Sequence, residues 1–280
     1  MRKIGAHVSS AGGPSNAIKN ILNIGGNCLQ IFAGSPRMWA RSIYANSEVQ
    51  KFNELIQEHH LDPVFIHALY LVNLASDNPE TLEKSYNSLL TDLQNGDLIN
   101  AAGVIVHTGS HQGRGFDPVK SQVVKKITSL INETNTTPFL IENSSGQKGK
   151  IGRLEEIEFL LKTINSPRLK VCLDTAHLFE AGHNLSEPKA IDRLIEELDK
   201  KEILPAITCL HLNDSKTALN SAHDQHDNLG EGQIDLTGLE YFINHPQLKH
   251  LPLILEVPGF DKKGPDAKNI KIAQSLTNHS

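Results

Sequence analysis

The sequence predicts a single-domain α/β protein with the architecture of a closed (β/α)₈ TIM barrel. Short apolar, β-branched runs recur along the whole chain, and amphipathic helical patterns separate them. There are eight such runs in 280 residues, which matches this barrel both in strand number and in total length. An open doubly wound sheet is the alternative, but no GxGxxG or GxxxxGK[ST] motif stands at a strand-to-helix turn.

The predicted strands are continuous apolar runs, which are typical of strands buried on both faces. They lie at residues 4–6, 28–32, 64–66, 104–106, 139–141, 171–173, 207–210 and 253–255. Three of the intervening helices have clear start signals, at Ser186-Glu-Pro188, Asp117-Pro118 and Asn78-Pro79. The third of these helices is expected to end at Asn95-Gly96, since glycine favours a helix C-terminus.

Composition predicts an ordinary globular protein, with 39% hydrophobic and 21% charged residues. No apolar stretch reaches the roughly 18 to 20 residues that a membrane span needs, and the first residues lack a signal-peptide core. We therefore expect a cytoplasmic protein with no membrane partner. Cys28, Cys172 and Cys209 lie inside apolar runs, which predicts buried free thiols rather than disulfides or a zinc knuckle.

Metal-binding or ionisable side chains stand where seven of the eight predicted strands end. They are His7, His67, His107, Glu142, Asp174, His211 and Glu256, and the remaining strand ends in Phe32. One such residue is usually a hydrogen-bonded rim residue, but the C-terminal rim of this barrel is where active sites form. Histidines and carboxylates gathered there are costly to desolvate unless cations compensate them. The pattern predicts a metal site, with His7 as a supporting residue.

Two loops add ligand-type residues. His177 follows Asp174 by three positions, so a tight turn would bring both to one site, and Asp224 and His226 are spaced to face the same side of an extended segment. The full predicted ligand set is His67, His107, Glu142, Asp174, His177, His211, Asp224, His226 and Glu256. It exceeds the needs of one ion, and three ions sharing a carboxylate account for it. Nitrogen and oxygen donors without thiolate suit Zn²⁺, Mn²⁺ or Fe²⁺ in an open catalytic site.

Four segments carry a family resemblance. LIENSSGQ (140–147), CLDTAHLFEAGH (172–183), HLNDSK (211–216) and DQHDNLGEG (224–232) resemble, in order and spacing, the endonuclease IV family of zinc-dependent apurinic/apyrimidinic (AP) endonucleases. The resemblance extends from residue 4 to about residue 260. It implies one AP endonuclease domain over residues 1–280 that hydrolyses the phosphodiester 5′ to abasic sites in duplex DNA. The expected products are a 3′-hydroxyl and a 5′-deoxyribose phosphate, with 3′-end repair as an additional activity.

The resemblance also assigns roles. His67, His107 and Glu142 would hold one zinc ion. Glu142 would bridge to a second ion, held also by Asp174, His211 and Glu256. His177, Asp224 and His226 would hold the third. Glu142, Glu256 and His107 are the expected catalytic residues, and Mn²⁺ is an alternative at one position.

Arg37, Tyr70 and Leu71 would enter the DNA at the lesion. A complete barrel with its own core can act as a monomer, and the loop at residues 146–150 lacks the GK[ST] motif that would predict a nucleotide cofactor. This sequence departs from the family at Gln225, where arginine is common, and at Lys148, which puts particular contacts to the DNA backbone in doubt but removes no ligand.

The formal charge of −5 by itself argues against a polyanionic partner. Three Zn²⁺ ions would change that charge to about +1, and the rim would then attract phosphate. A metal-dependent sugar isomerase or epimerase on the same barrel is the main alternative, and it needs only one or two ions. A non-catalytic DNA-binding module has no reason to gather nine ligand-type side chains.

Overall fold

The computed structural model describes residues 2–36 and 38–277. Its strands are β1 Ile4–His7, β2 Cys28–Phe32, β3 Val64–His67, β4 Gly103–Val106, β5 Phe139–Glu142, β6 Leu169–Asp174, β7 Ile207–His211, β8 Asp214–Ser215, β9 His226–Asp227 and β10 Leu253–Leu255. All of these except β8 and β9 are parallel and close into a barrel, in which β10 joins β7 to β1. The predicted TIM barrel is confirmed, and several strands extend to the ionisable residue at the rim.

Helices form the outer layer of the barrel, except for the short helix directly after β6, which lies at the C-terminal rim. They are α1 Ser15–Ile24, α2 Asn46–His59, α3 Pro79–Ile99, α4 Lys120–Asn132, α5 Leu154–Ile164, α6 Thr175–Glu180, α7 Pro188–Lys200, α8 Leu236–Asn244 and α9 Ala267–Ser275. In α7 the apolar stripe is buried as its spacing predicts, from Ile191 to Leu198. Within the described residues, none of these helices combines the length and the apolar character needed to cross a membrane.

A small apolar cluster fills the barrel interior, separate from the larger core between strands and helices. Its buried members are Cys28, Phe65, Ile105, Leu140, Cys172, Cys209 and Ile254. The three cysteines are free and fully buried, as their apolar surroundings predict. Because strand side chains alternate between faces, the residue two positions after each cluster member also points inward, one layer nearer the rim.

Three local predictions are wrong. Helix α3 continues through Asn95-Gly96 and ends at Ile99, where the C-cap residue Asn100 has a left-handed φ of 53°. A Cβ on Gly96 would lie 2.7 Å from Thr137 Cγ2, so this glycine permits close packing instead of ending the helix. Helix α4 begins at Lys120, after a turn at residues 117–118. Asp174 and His177 are joined by the first turn of α6 instead of a tight turn, because the Asp174 side chain caps that helix.

Candidate metal centre

A layer of polar side chains closes the barrel interior at the C-terminal ends of the strands, and we call it the rim layer. Its members are His7, Gln30, His67, His107, Glu142, Asp174, His211 and Glu256. Except for His7, each stands two positions after a member of the interior cluster. Neighbouring strands bring these side chains together directly, as in the register pairs Asp174 with His211 and His7 with Gln30.

Glu142, at the end of β5, lies at the centre of this layer and is fully buried. Its Oε2 atom is 3.2 Å from Nε2 of both His67 and His107. Its Oε1 atom is 3.0 Å from His211 Nδ1 and 3.5 Å from His177 Nδ1. One carboxylate therefore contacts two separate groups of histidines through its two oxygens, which is the arrangement that a bridging ligand requires.

A second group surrounds His211. Its Nδ1 atom is 3.2 Å from Glu256 Oε2 and 3.6 Å from Asp174 Oδ2, in addition to the Glu142 contact. Asp174 Oδ2 is fixed by a 2.7 Å hydrogen bond from the Asn213 side-chain amide. The ligand-type atoms of Glu142, Asp174, His211 and Glu256 all lie within 4.8 Å of one another.

The third group combines His177 of α6 with Asp224, in the loop between β8 and β9, and His226, the first residue of β9. His177 Nε2 lies 3.2 Å from Asp224 Oδ1 and 3.4 Å from His226 Nε2. His226 Nε2 is also 3.5 Å from Asp174 Oδ2 and 3.7 Å from Asp224 Oδ1. The structure thus brings all nine predicted ligand residues together in three groups. The first and second groups share Glu142, and the second and third adjoin each other at Asp174.

The spacing of these atoms fits tetrahedral metal ions. Zinc ligands lie about 2.0 to 2.1 Å from the ion, so two of them at a tetrahedral angle are roughly 3.3 to 3.4 Å apart. The distances given above between nitrogen and oxygen ligand atoms, and between the two Nε2 atoms, run from 3.0 Å to 3.7 Å. The donors are imidazole nitrogens and carboxylate oxygens, the set that zinc and similar divalent ions prefer in open sites.

Backbone carbonyls orient two of the histidines. His67 Nδ1 lies 2.7 Å from the Ala68 carbonyl oxygen, and His177 Nδ1 lies 3.0 Å from that of Asn143. A carbonyl oxygen only accepts hydrogen bonds, so Nδ1 must carry the N–H group in both neutral rings. Each ring then presents an unprotonated Nε2 to the cluster, the state that binds a metal ion.

Ionisable neighbours shift the pKa values of the cluster. Burial alone would raise the pKa of Glu142, but His107 and His211 hold it well below its usual range. Burial alone would lower the pKa of His177, but Asp174 is the chief carboxylate that raises it well above its usual value. Without cations, protonated His177 and His211 therefore compensate the buried carboxylates, and metal binding would release those protons.

Two residues that support the site were missed from the sequence. Gln30 is fully buried in the rim layer. The strand-end rule does not identify it, because that rule considers only the last residue of each apolar run, and the run in β2 ends in Phe32. A single amide inside an otherwise apolar strand is the signal that identifies it. Glu180 is also buried, and it accepts hydrogen bonds from Gln225 N at 3.1 Å and Ser215 Oγ at 2.8 Å. It thereby fixes the segment between Asp224 and His226.

A groove with a cavity of about 1250 Å³ opens above the three groups. The predicted DNA-contacting residue Tyr70 lines this groove, and Tyr70 and its neighbour Leu71 have 62% and 47% of their surface exposed. The Tyr70 ring meets the Phe32 ring edge-on, at a centroid distance of 5.3 Å. Trp39 is half-buried and packs on the core. Arg37, the third predicted contact residue, lies outside the described residues.

Comparisons with known proteins show which family this chain is similar to. The family described as xylose isomerase-like TIM barrel matches residues 18–278. A relative from Halothermothrix orenii named probable endonuclease 4 is 37% identical over 273 residues, 96% of this chain and 98% of the relative. The crystal structure of endonuclease IV from Thermus thermophilus matches with a TM-score of 0.87 at 32% identity, over 99% of this chain and 100% of that one.

A sugar epimerase provides the contrast. The structure of 3-keto-D-glucoside 4-epimerase from E. coli matches with a TM-score of 0.68 over 99% of both chains, but at only 14% identity. That likeness shows the barrel fold alone. Identities above 30% along nearly the whole chain occur with the endonucleases. The chain therefore belongs to the endonuclease IV family of DNA-repair nucleases.

Proposed function

We propose that this enzyme hydrolyses the phosphodiester bond on the 5′ side of abasic sites in duplex DNA with the help of three divalent metal ions. Zinc is the expected metal, with Mn²⁺ as an alternative at one of the three positions. Water adds to phosphorus, the bond from phosphorus to the upstream O3′ breaks, and O3′ takes up a proton. The products are a 3′-hydroxyl and a 5′-deoxyribose phosphate. The same chemistry extends to the removal of blocked 3′ ends.

The double contact of Glu142 carries the proposal. Its two carboxylate oxygens face His67 and His107 on one side and His211 on the other, at 3.0 to 3.2 Å. Burying an ionised carboxylate costs free energy unless nearby cations compensate its negative charge. A bridging role for Glu142 between two ions explains both its burial and its central position.

The nine residues would divide among three ions. His67, His107 and Glu142 would hold the first, and Asp174, His211 and Glu256 would join Glu142 around the second. His177, Asp224 and His226 would hold the third. Bound divalent ions would stabilise negative charge developing on the phosphate oxygens and would lower the pKa of water toward neutrality.

The chain itself orients the histidine ligands, and the charge at the rim determines how strongly a phosphate group is attracted. The Ala68 and Asn143 carbonyls fix the rings of His67 and His177, so these ligands need no reorganisation when the site is filled. The three charges of +2 would change the formal charge from −5 to about +1, with the positive charge concentrated at the rim. Because four ligand carboxylates belong to the rim, the rim would carry about +2 and the rest of the chain about −1, so a phosphate group would be attracted to the rim.

Selectivity for abasic sites follows from Tyr70 and Leu71. Both are large side chains that remain exposed, and Tyr70 lines the groove. Inserting such a wedge into a duplex costs a few kcal/mol of base stacking, and that cost is lowest where a base is already missing. Arg37 completes this contact set in the proposal.

We further take residues 1–280 as one AP endonuclease domain that acts as a cytoplasmic monomer. The proposed ligands come from strands on all sides of the barrel, so no part of it would suffice alone. Measuring the molar mass in solution with and without an abasic duplex tests the monomer, and a dimer bound to each lesion would contradict it.

The test of function combines elemental analysis with an incision assay. The substrate is a duplex with one tetrahydrofuran abasic analogue, and the control is the same duplex with an intact nucleotide. This analogue cannot undergo β-elimination, so a cut beside it must be hydrolytic. We expect about three transition-metal ions per chain and a chelator-sensitive cut on the 5′ side of the analogue. One or two ions with an uncut duplex would favour the sugar isomerase or epimerase instead.

A further inference from the structure

Gln30 is the one member of the rim layer that is neither an acid nor a histidine. It is fully buried in β2 and contacts three other members of the layer. Its Nε2 atom lies 2.6 Å from Glu256 Oε1 and 2.9 Å from His7 Nδ1. Its Oε1 atom lies 2.8 Å from His211 Nε2. One amide therefore connects two proposed ligands of the second ion.

The chemistry of Glu256 fixes the orientation of this amide. An ionised carboxylate only accepts hydrogen bonds, so the group facing Glu256 must be the NH₂ end of Gln30. The carbonyl oxygen of Gln30 must then face His211. That oxygen only accepts, so His211 must present an N–H group at Nε2.

The consequence for His211 is a defined tautomer. With its proton on Nε2, the neutral ring has a lone pair on Nδ1. Nδ1 is the atom that faces Glu142 at 3.0 Å and Glu256 at 3.2 Å. The opposite tautomer would place the proton on Nδ1, between these carboxylates, where it would block metal binding.

His7 completes the network. The NH₂ group of Gln30 has two protons, and donating one to Glu256 leaves the other for His7. His7 Nδ1 then acts as an acceptor, which holds the amide in the same orientation from its other side. This contact gives a physical reason for a histidine at the end of β1 that is outside the predicted ligand set.

We propose that Gln30 is a positioning residue that sets the His211 tautomer and holds the Glu256 carboxylate in place for the second metal ion. The inference rests on the proposed metal centre and goes beyond it in naming the group that prepares two of its ligands. Gln30 itself binds no ion and touches no substrate. Outer partners of this kind typically change metal affinity about 10- to 100-fold.

The first test compares Gln30→Leu with Gln122→Leu. Gln122 is the matched control, since its amide donates to two backbone carbonyls, those of Leu74 and Ser76, outside the metal centre. Each zinc-loaded protein is mixed with a chelator, and the dissociation constant of each ion is obtained from the competition. We expect one ion of Gln30→Leu to bind about 10- to 100-fold more weakly, with the control unchanged. Circular dichroism checks that both variants are folded.

Nitrogen-15 NMR of the histidine rings in the zinc-loaded protein gives a second readout that does not depend on activity. The wild type should show a His211 ring protonated at Nε2 and not at Nδ1, and this preference should be lost in Gln30→Leu. Gln30→Glu separates the two roles, because it retains an acceptor for His211 but places a negative charge against Glu256. It should keep the tautomer and still bind one ion more weakly.

Two further outcomes are distinguishable. A wild-type protein that binds no divalent ion would overturn the proposed metal centre, and this inference with it. A wild type that binds its ions normally, together with a Gln30→Leu variant of equal affinity and unchanged His211 tautomer, would overturn the role of Gln30 alone.

Discussion

The Nε2 atoms of His177 and His226 lie 3.4 Å apart. The Nδ1 atom of His177 is engaged by the Asn143 carbonyl, so in the neutral ring the lone pair on Nε2 points at its neighbour. Two such lone pairs repel each other unless a proton or a metal ion lies between them. The separation equals that of two ligands on one tetrahedral zinc ion, about 3.3 to 3.4 Å.

Replacing His226 with asparagine should therefore remove one ion and leave the other two. We expect the metal content to fall by about one ion per chain and incision at an abasic analogue to fall by about 10²- to 10³-fold, because one source of charge stabilisation at the phosphate is lost. Elemental analysis and single-turnover incision measure the two effects. His250→Asn is the control at an exposed site, and equal metal content in both variants would contradict the assignment of His226.

Glu142→Ala should have a larger effect, since this residue is proposed to serve two ions. We expect loss of both the first and the second ion and no measurable incision, with the far-ultraviolet circular dichroism of the wild type. The barrel should persist because its apolar interior, including Leu140 two residues earlier, is unchanged. Near-wild-type turnover would exclude a bridging role. Glu133→Ala, at an exposed glutamate remote from the rim layer, should retain full activity.

The strand positions and the composition of the rim could be predicted because a parallel barrel imposes a simple rule. Each strand is a short apolar run, and the first ionisable residue after it falls at the C-terminal rim. His67, His107, Glu142, Asp174, His211 and Glu256 all follow this rule. Their convergence follows from the closure of the barrel alone, without any knowledge of side-chain contacts.

The supporting residues could not be predicted in the same way, because they depend on how neighbouring strands are staggered. Gln30 lies inside an apolar run, and only the register that pairs it with His7 brings it into the rim layer. Glu180 depends on the fold of a loop whose short strands, β8 and β9, have only two residues each. Gly96 has a packing role that only the contact with Thr137 reveals.

Tyr70 offers a test of DNA recognition that leaves the metal centre intact. We expect Tyr70→Ala to weaken binding to an abasic duplex about tenfold or more, since stacking of an aromatic ring on a base contributes roughly 1 to 3 kcal/mol. Folding and metal content should not change, because 62% of the Tyr70 surface is exposed. Binding to abasic and intact duplexes is compared by fluorescence anisotropy.

The control for this substitution is Tyr241→Ala. Tyr241 is also an exposed tyrosine, but it lies on α8 and donates a hydrogen bond to Asp192 of α7. Equal affinity of Tyr70→Ala and the wild type for the abasic duplex would exclude Tyr70 from lesion recognition. An equal loss for abasic and intact duplexes would show that Tyr70 contributes to general DNA affinity instead of selectivity.

A partly exposed turn after α4, which is held by the Asp97 side chain, indicates how stability depends on pH. Asp97, near the end of α3, accepts backbone hydrogen bonds from Asn135, Thr136 and Thr137 at 2.8 to 2.9 Å. Burial alone would raise the pKa of Asp97, but these hydrogen bonds lower it to about 2. The folded protein therefore stabilises the ionised form relative to the unfolded chain.

The sign of the effect follows from linkage. A carboxylate with a lowered pKa contributes its full stability above the unfolded pKa, about 3.9, and loses it as the pH falls toward 2. We expect Asp97→Asn to lower the free energy of unfolding by about 1 kcal/mol at pH 7, after allowance for solvent screening at this half-buried site. Urea unfolding of both proteins from pH 7 to pH 2 should show that the free energies of unfolding of Asp97→Asn and the wild type approach each other only below about pH 4. Asp117→Asn, at an exposed position, is the control. If the free energies of unfolding of Asp97→Asn and the wild type differ by the same amount down to pH 2, the assigned role of these hydrogen bonds is contradicted.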